Sequence, residues 1–139
     1  MTNHLFVYGS LMPQLTGLFG NTDRTRLASE STVIGPAHLA GRLYDLGAYP
    51  GLISNSCLHT RVEGVLLRLN KPDETLAWLD LFEDIVPGRA IEANAYERVT
   101  RMVATADGGE IEAWVYVMWR LPASASEITS GRWLPSSSR

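Results

Sequence analysis

The chain has 139 residues and a mass of 15.3 kDa, which is typical of one domain. Hydrophobic residues make up 45% and charged residues 19%, a balance that excludes a disordered or collagen-like chain. The net charge is −3 and the sequence has neither a long basic stretch nor an apolar run of about 20 residues, so we expect no nucleic-acid partner and no membrane association.

The first half of the chain predicts short strands separated by turns. Leu5–Tyr8 is an apolar run ended by Gly9, which is typical of a buried strand leading into a loop. The stretch 11–20 is ambiguous, and a short helix opening at Pro13 is one interpretation. Further on, Gly and Pro interrupt four β-type segments, a pattern that predicts short bent strands: Thr32–Ile34, His38–Ala40, Leu43–Leu46 and Gly51–Ile53.

Three longer segments alternate in hydrophobicity and predict strands. Arg61–Leu69 carries apolar residues on both faces, so we expect both faces to be partly covered. Tyr96–Thr105 and Ile111–Trp119 flank Asp107-Gly108-Gly109, which predicts a hairpin.

One helix is predicted between these strands. Asn70 is a suitable N-cap, Pro72 suits the first turn, and Asp73 can complete a capping box. The apolar periodicity passes through Leu76, Leu79 and Phe82, and the helix is expected to end near Pro87-Gly88. One helix among about seven strands predicts an α+β fold whose sheet curls into a small barrel or roll.

Glu83 is the most informative residue of this helix. On a helical projection it lies between Leu76 and Leu79, at the edge of the apolar stripe. A carboxylate there is unfavourable unless paired, and desolvation raises its pKa towards the range of a general base. Periodicity alone favours a structural ion pair with Arg98 or Arg101. The other carboxylates fall on the adjoining polar face, where solvation is expected: Asp73, Asp80 and Asp84.

The loop Tyr8-Gly9-Ser10-Leu11 is a second candidate site. Gly9 allows a sharp turn and the close approach of a ligand, and successive N–H groups of such a turn can bind an anion. An ordinary strand-ending turn is the alternative, and taken alone the sequence favours it. Ser10 lacks the Gly-x-Ser-x-Gly context of a nucleophile.

Other chemistry-bearing residues are scattered. Cys57 and His59 share one face of a possible strand, but a lone cysteine is usually a small buried hydrophobe. The lone Cys57 also cannot form an internal disulfide, so a cytoplasmic location is expected. The histidines lack metal-ligand spacing, and no metal site is expected: His4, His38 and His59. Three aromatic residues are expected in the core: Trp114, Tyr116 and Trp119.

These features, in this order, resemble the γ-glutamylcyclotransferase-like family, which includes the AIG2-type proteins. The resemblance covers nearly the whole chain. The segments that carry it are Phe6-Val7-Tyr8-Gly9-Ser10-Leu11, Gly41–Gly51, Val62-Glu63-Gly64, Leu79-Asp80-Leu81-Phe82-Glu83, Tyr96-Glu97-Arg98, Ala113–Val117 and Ile128–Trp133.

The resemblance implies an α+β fold with a small closed or nearly closed mixed β-barrel, flanked by short helices. One such domain is expected over residues 1–134, followed by a flexible tail of residues 135–139. The resemblance also implies a ligand cavity lined by the Tyr8–Leu11 loop and Glu83. Further cavity-lining candidates are Tyr44, Tyr96 and Tyr116.

The resemblance further implies an enzyme that releases 5-oxoproline and a free amine from a small γ-glutamyl compound. Glu83 would be the general base that takes a proton from the substrate α-ammonium and returns one to the leaving nitrogen. The backbone N–H groups of Tyr8, Gly9, Ser10 and Leu11 would hold the glutamyl part and polarise its carbonyl. No cofactor is expected, because the ring closure is intramolecular.

Two departures from the family pattern leave the amine part of the substrate open. The segment Asp84–Ala95 is longer than in compact members, and Met12-Pro13-Gln14 replaces a basic or Gly-containing continuation. Two alternatives to an enzyme also stand. The chain can be a non-catalytic module that binds a small amine- or carboxylate-bearing ligand, or an interaction protein with an exposed patch around Trp114 or Trp133. The sequence does not indicate an oligomeric state.

Overall fold

The computed structural model describes residues 2–9, 11–13, 21–46, 50–54, 60–83, 85, 96–118 and 125–133. Ser10, the ambiguous stretch from Gln14 to Gly20, Cys57, His59 and the tail 135–139 lie outside these residues, as does the segment Asp84–Ala95 apart from Ile85. The described elements are β1 His4–Val7, α1 Asn21–Ser29, β2 Ser31–Asp45, β3 Pro50–Ser54, β4 Arg61–Leu69, α2 Pro72–Phe82, β5 Tyr96–Thr105, β6 Glu110–Met118 and β7 Ser126–Ile128.

Five strands form a closed barrel in the order β2-β4-β1-β6-β5, with β5 pairing back onto β2. The closing pairs are Ala37 with Thr105 and His38 with Ala104. The pairing of β1 with β6 is parallel, whereas the other barrel pairings are antiparallel. The prediction of an α+β fold with a small mixed barrel and short helices is therefore confirmed.

The parallel pairing of β1 with β6 determines which residues meet at one end of the barrel. Leu5 lies opposite Trp114, so Tyr8, which follows β1, and Tyr116, near the end of β6, lie towards the same end. The antiparallel strand β5 begins there, with Tyr96 paired to Met118. Residues far apart in the chain are thus brought together at this end.

Strand β2 is longer than the sequence predicts. The segments expected at Thr32–Ile34, His38–Ala40 and Leu43–Leu46 are one 15-residue strand, and its glycines bend it without ending it. A bulge lies between Val33 and Gly35. At Gly41 the strand leaves the barrel and pairs with β3, and a side chain there would place its Cβ 2.6 Å from the Ile53 carbonyl oxygen.

The core fills the barrel and the space beneath α2. The prediction that both faces of β4 are covered is confirmed, because Val65, Leu66 and Leu67 are consecutive and buried. Gly64 allows the end of β1 to pack closely on β4, since a Cβ there would lie 2.7 Å from the Phe6 ring. Trp114 and Tyr116 are also in the core, as predicted, and Trp119 lies outside the described residues.

Helix α2 differs from the prediction at both ends. Its N-cap is Lys71 rather than Asn70, and no side chain caps it, because the Asn70 N–H donates to the Glu30 carbonyl and Pro72 takes the first helical position. The helix ends at Phe82, with Glu83 as its C-cap, and not near Pro87-Gly88.

Helix α1 has no counterpart in the predicted elements because its residues form no apolar stripe. Its attachment to α2 is polar. Glu30 accepts hydrogen bonds from the Thr75 hydroxyl at 2.5 Å and the Trp78 indole N–H at 3.1 Å, and it forms an ion pair with Arg26 at 3.1 Å. The Arg26 guanidinium lies over the Trp78 ring at 4.4 Å. The hydrogen bond from Thr75 is the main cause that lowers the pKa of Glu30 to about 2.

No helix in the described part of the chain is long and apolar enough to cross a membrane.

This attachment of α1 to α2 predicts a stability difference that depends on pH. Glu30→Gln should lower the free energy of unfolding by about 1–2 kcal/mol at neutral pH, because the charged hydrogen bonds are lost. The pKa of Glu30 is about 2 in the folded state, against an ordinary value of 4.5. The contribution is therefore fully present above about pH 5 and lost as the pH falls towards 2.

Urea denaturation of both proteins between pH 2.5 and pH 7 measures this difference. Glu97→Gln, an exposed change on β5, is the matched control and should have little effect at any pH. A Glu30→Gln protein as stable as the wild type at pH 7 would contradict the prediction.

Candidate active site

Glu83 lies at the C-terminal end of α2, where its N–H donates to the Leu79 carbonyl at 2.9 Å. The side chain is partly buried, and Leu79 and Leu76 beside it are buried, as the apolar stripe predicts. Among the described residues no cation forms an ion pair with its carboxylate. The expected ion pair with Arg98 or Arg101 is therefore wrong: Arg98 binds another acid, and Arg101 donates to the Ser54 hydroxyl and the Thr100 carbonyl.

The surroundings of Glu83 disfavour the ionised form of its side-chain carboxyl group. Burial raises the pKa of this carboxyl to about 7, and the negative charge of Asp80 adds to the rise. The position at a helix C-terminus acts in the same direction, because the carbonyl end of the helix dipole is negative and the last turn of α2 contains no basic residue. Glu83 can therefore both accept and release a proton near neutral pH.

Asp80 is not the solvated carboxylate that the sequence predicts. Arg98 on β5 binds it with two hydrogen bonds, from Nε to Oδ1 at 2.7 Å and from Nη2 to Oδ2 at 3.1 Å. The Tyr116 hydroxyl on β6 donates to Oδ1 at 2.7 Å. The helical projection could not reveal these partners, because both come from strands that follow α2 in the chain.

The loop after β1 lies close to Glu83. Tyr8 and Leu11 are buried, and the Met12 N–H donates to the Gly9 carbonyl at 3.0 Å, which closes a turn. Among the described residues the N–H of Leu11 has no acceptor. Ser10, the fourth residue of the predicted site, lies outside the described residues.

The Tyr8 hydroxyl connects this loop to β6. It donates to the Tyr116 carbonyl at 2.6 Å. Burial raises the pKa of Tyr8 well above its ordinary value, and the nearby acidic groups of Tyr96 and Glu83 contribute. Tyr8, Glu83, Tyr96 and Tyr116 thus form one electrostatically coupled cluster.

Gly9 is held against β3 through Pro50. A Cβ at Gly9 would lie 2.9 Å from the Pro50 ring, so no larger residue fits without a shift of the loop or the proline. The Pro50 carbonyl accepts a hydrogen bond from the Tyr96 hydroxyl at 2.7 Å. The crowding at Gly9 therefore comes from the protein itself, in addition to the ligand contact that the sequence suggested.

Tyr44 has no described hydrogen bond to this cluster. It lies on the part of β2 outside the barrel, opposite Gly51 and Glu127, and no described hydrogen bond or electrostatic interaction links it to Glu83. A shallow surface pocket of about 350 Å³ adjoins this sheet, and none of the predicted site residues lines it: Asp45, Ser126, Glu127, Ile128, Thr129, Ser130 and Arg132.

The alternative of an interaction protein with an exposed patch around Trp114 or Trp133 is not supported, because both side chains are buried. Among the described residues no group of three or more His, Cys, Asp or Glu side chains is placed to hold a metal ion.

The chain is similar to known proteins over most of its length. A model of the family described as "Gamma-glutamyl cyclotransferase, AIG2-like" matches residues 5–135. A Vibrio cholerae protein named "Putative gamma-glutamylcyclotransferase" is 33% identical over 135 residues, which are 96% of each chain.

Solved structures show the same fold. YkqA from Bacillus subtilis superimposes with a TM-score of 0.66 and 24% identity over 96% of this chain, which spans only 40% of the Bacillus chain. An aig2-like protein from Mus musculus superimposes with a TM-score of 0.65 and 21% identity, over 87% of this chain and 80% of the mouse chain.

The environment of Glu83 predicts that Glu83→Gln stabilises the protein. The pKa of Glu83 is raised from 4.5 to about 7 on folding, so stability is lost as the pH rises through this window. The variant should match the wild type near pH 4 and exceed its free energy of unfolding by roughly 1–3 kcal/mol at pH 8.

Urea denaturation at pH 4 and pH 8 measures the effect. Glu74→Gln, on the exposed first turn of the same helix, is the matched control and should change little at either pH. A Glu83→Gln protein that is less stable than the wild type at pH 8 would instead indicate a lost partner.

Proposed function

Because the chain belongs to the gamma-glutamyl cyclotransferase, AIG2-like family, we propose that it is an enzyme that converts a γ-glutamyl compound into 5-oxoproline and a free amine. The substrate's α-amino nitrogen attacks its own γ-carbonyl carbon. The new C–N bond closes the five-membered ring, and the old amide C–N bond breaks. The attacking nitrogen enters as an ammonium and ends as the N–H of the lactam, so it loses two protons, and the leaving nitrogen gains two and departs as an ammonium.

The observation that carries this proposal is the environment of Glu83. Its partly buried carboxylate has no described cation partner, and its pKa is raised to about 7. In the ionised form it accepts a proton from the substrate ammonium, which makes the nitrogen nucleophilic. In the protonated form it supplies a proton to the departing amine, so one residue serves both steps.

The Tyr8–Leu11 loop supports the role of binding the glutamyl part. The side chain of Tyr8, the first residue of the loop, is close enough to Glu83 to be influenced by its charge, and the Leu11 N–H lacks a protein acceptor among the described residues. Such N–H groups stabilise the negative charge that develops on the γ-carbonyl oxygen. The reaction needs no second substrate, because binding the bent conformer brings the two reacting groups together.

The amine part of the substrate is a matter for experiment. Glutathione-like compounds, γ-glutamyl amino acids, ε-lysine isopeptides and other γ-glutamyl adducts all present the same reacting groups. A panel of these compounds, assayed for 5-oxoproline, tests the proposal directly. A protein that binds members of the panel without turnover would indicate the non-catalytic module instead.

We predict that Glu83→Gln lowers 5-oxoproline release by about 10²–10⁴-fold with the fold intact, because the amide cannot accept a proton. For the wild type, kcat/KM should rise with pH through a midpoint near the Glu83 pKa of about 7. Glu74→Gln is the control of equal chemical change, and it should retain wild-type rates. Near-wild-type turnover by Glu83→Gln would refute the general-base assignment.

The Tyr8–Leu11 loop gives a second prediction, because its backbone N–H groups rather than its side chains are proposed to bind the glutamyl part of the substrate. Ser10→Ala should retain most activity, since a hydroxyl supplies at most one extra hydrogen bond. Gly9→Val should lose much more, because its side chain meets the Pro50 ring and the ligand. Rates of 5-oxoproline formation decide the order, with circular dichroism to monitor folding. A folded but inactive Ser10→Ala protein with a covalent acyl-enzyme would support a serine nucleophile instead.

A further inference from the structure

Asp80 is held by side chains from two strands. Arg98 and Tyr116 lie directly opposite each other in the β5–β6 pairing, and both donate to the Asp80 carboxylate. The Arg98 guanidinium also lies over the Trp114 ring at 4.5 Å from its centroid. The Asp80 side chain is only 23% exposed, so little solvent competes for these bonds. The carboxylate is therefore fixed in one orientation.

The same residue shapes the backbone around Glu83. The Asp80 carbonyl accepts the Ile85 N–H at 2.8 Å, so the chain on both sides of Glu83 is tied to the last turn of α2. Asp80 and Glu83 are three positions apart, which places their side chains on neighbouring points of the helix surface. The two acids are close enough for the charge of Asp80 to act on Glu83.

Among the described polar groups around Glu83, two are charged near neutral pH. Tyr8 follows β1, Tyr96 and Arg98 lie on β5, Tyr116 lies on β6, and Asp80 lies on α2. The pKa values of Tyr8 and Tyr116 are raised above their ordinary values, mainly by burial, and phenols are neutral at pH 7. Among the described residues, Asp80 and the Arg98 bound to it therefore set the balance of charge near Glu83.

We propose that Asp80, together with Arg98 and Tyr116, is a positioning residue for Glu83 that orients the end of α2 and sets the pH at which Glu83 exchanges its proton. This inference rests on the proposed function, in which Glu83 is the general base. Asp80 itself does not contact the substrate in this scheme. Arg98 partly offsets the negative charge of Asp80. Removing the charge of Asp80 and removing that of Arg98 should therefore move the titration midpoint of Glu83 in opposite directions.

The test compares four variants by two measurements. The first is the pH dependence of kcat/KM for 5-oxoproline release. The second is a direct titration of the Glu83 side-chain carboxyl by NMR in protein labelled with ¹³C-glutamate, with Glu83→Gln identifying the resonance. The titration requires no activity.

We expect Asp80→Asn to lower the midpoint of both curves by about one pH unit, because a nearby negative charge is removed and Arg98 loses its counter-charge. Arg98→Gln should raise the midpoint, because the charge of Asp80 is no longer offset. Arg98→Lys keeps the charge and loses the two-point geometry, so it should leave the midpoint near the wild-type value while lowering kcat.

A purely structural role predicts a different result, in which the variants lose activity or stability and the midpoint stays unchanged or moves in one direction. That outcome would overturn the inference.

Tyr116→Phe removes one hydrogen bond and no charge. If the charge variants unfold, this milder change must raise the midpoint slightly, because Asp80 loses a donor. If the wild type releases no 5-oxoproline from any compound, the proposed function fails, whereas the NMR titration still decides whether Asp80 and Arg98 control Glu83.

Discussion

The bonds from Arg98 and Tyr116 to the Asp80 carboxylate are the interaction on which the candidate site depends. They join the last turn of α2 to two neighbouring strands of the barrel. A helix packed only by apolar contacts can slide or rotate, but a carboxylate held by directional bonds from two strands fixes both its depth and its rotation. Glu83 lies three residues after Asp80 at the end of the same helix, so these bonds also fix the position of Glu83.

The barrel topology determines what Glu83 faces. Because β1 runs parallel to β6 and β5 runs antiparallel to it, the end of β1, the end of β6 and the start of β5 share one end of the barrel. Tyr8, Tyr116 and Tyr96 come from these three places. Their hydroxyl groups donate to carbonyl or carboxylate oxygens of the protein. The phenols therefore hold the backbone and the Asp80 side chain around the candidate site in place.

Two glutamates near α2 show how partners decide the state of a carboxyl group. Glu30 accepts bonds from Thr75 and Trp78 and pairs with Arg26, and its pKa is lowered to about 2. Glu83 has no such donors among the described residues, and its pKa is raised to about 7. Hydrogen-bond donors stabilise the ionised form of Glu30. Burial beside the negative charge of Asp80 destabilises the ionised form of Glu83. The first carboxylate fits a structural role, and the second is suited to proton transfer.

The sequence alone determined the features that depend on local pattern. Alternation predicted β4 and the β5–β6 hairpin, apolar periodicity placed Glu83 at the edge of the buried stripe, and the ordered motifs indicated the family and its barrel. Local pattern could not show that β2 runs through its glycines, since pairing with β4 along its first part and with β3 along its last part keeps it extended. Nor could it pair Arg98 with Asp80 rather than with Glu83. That choice follows from strand register and barrel closure, which set the distances between residues far apart in the chain.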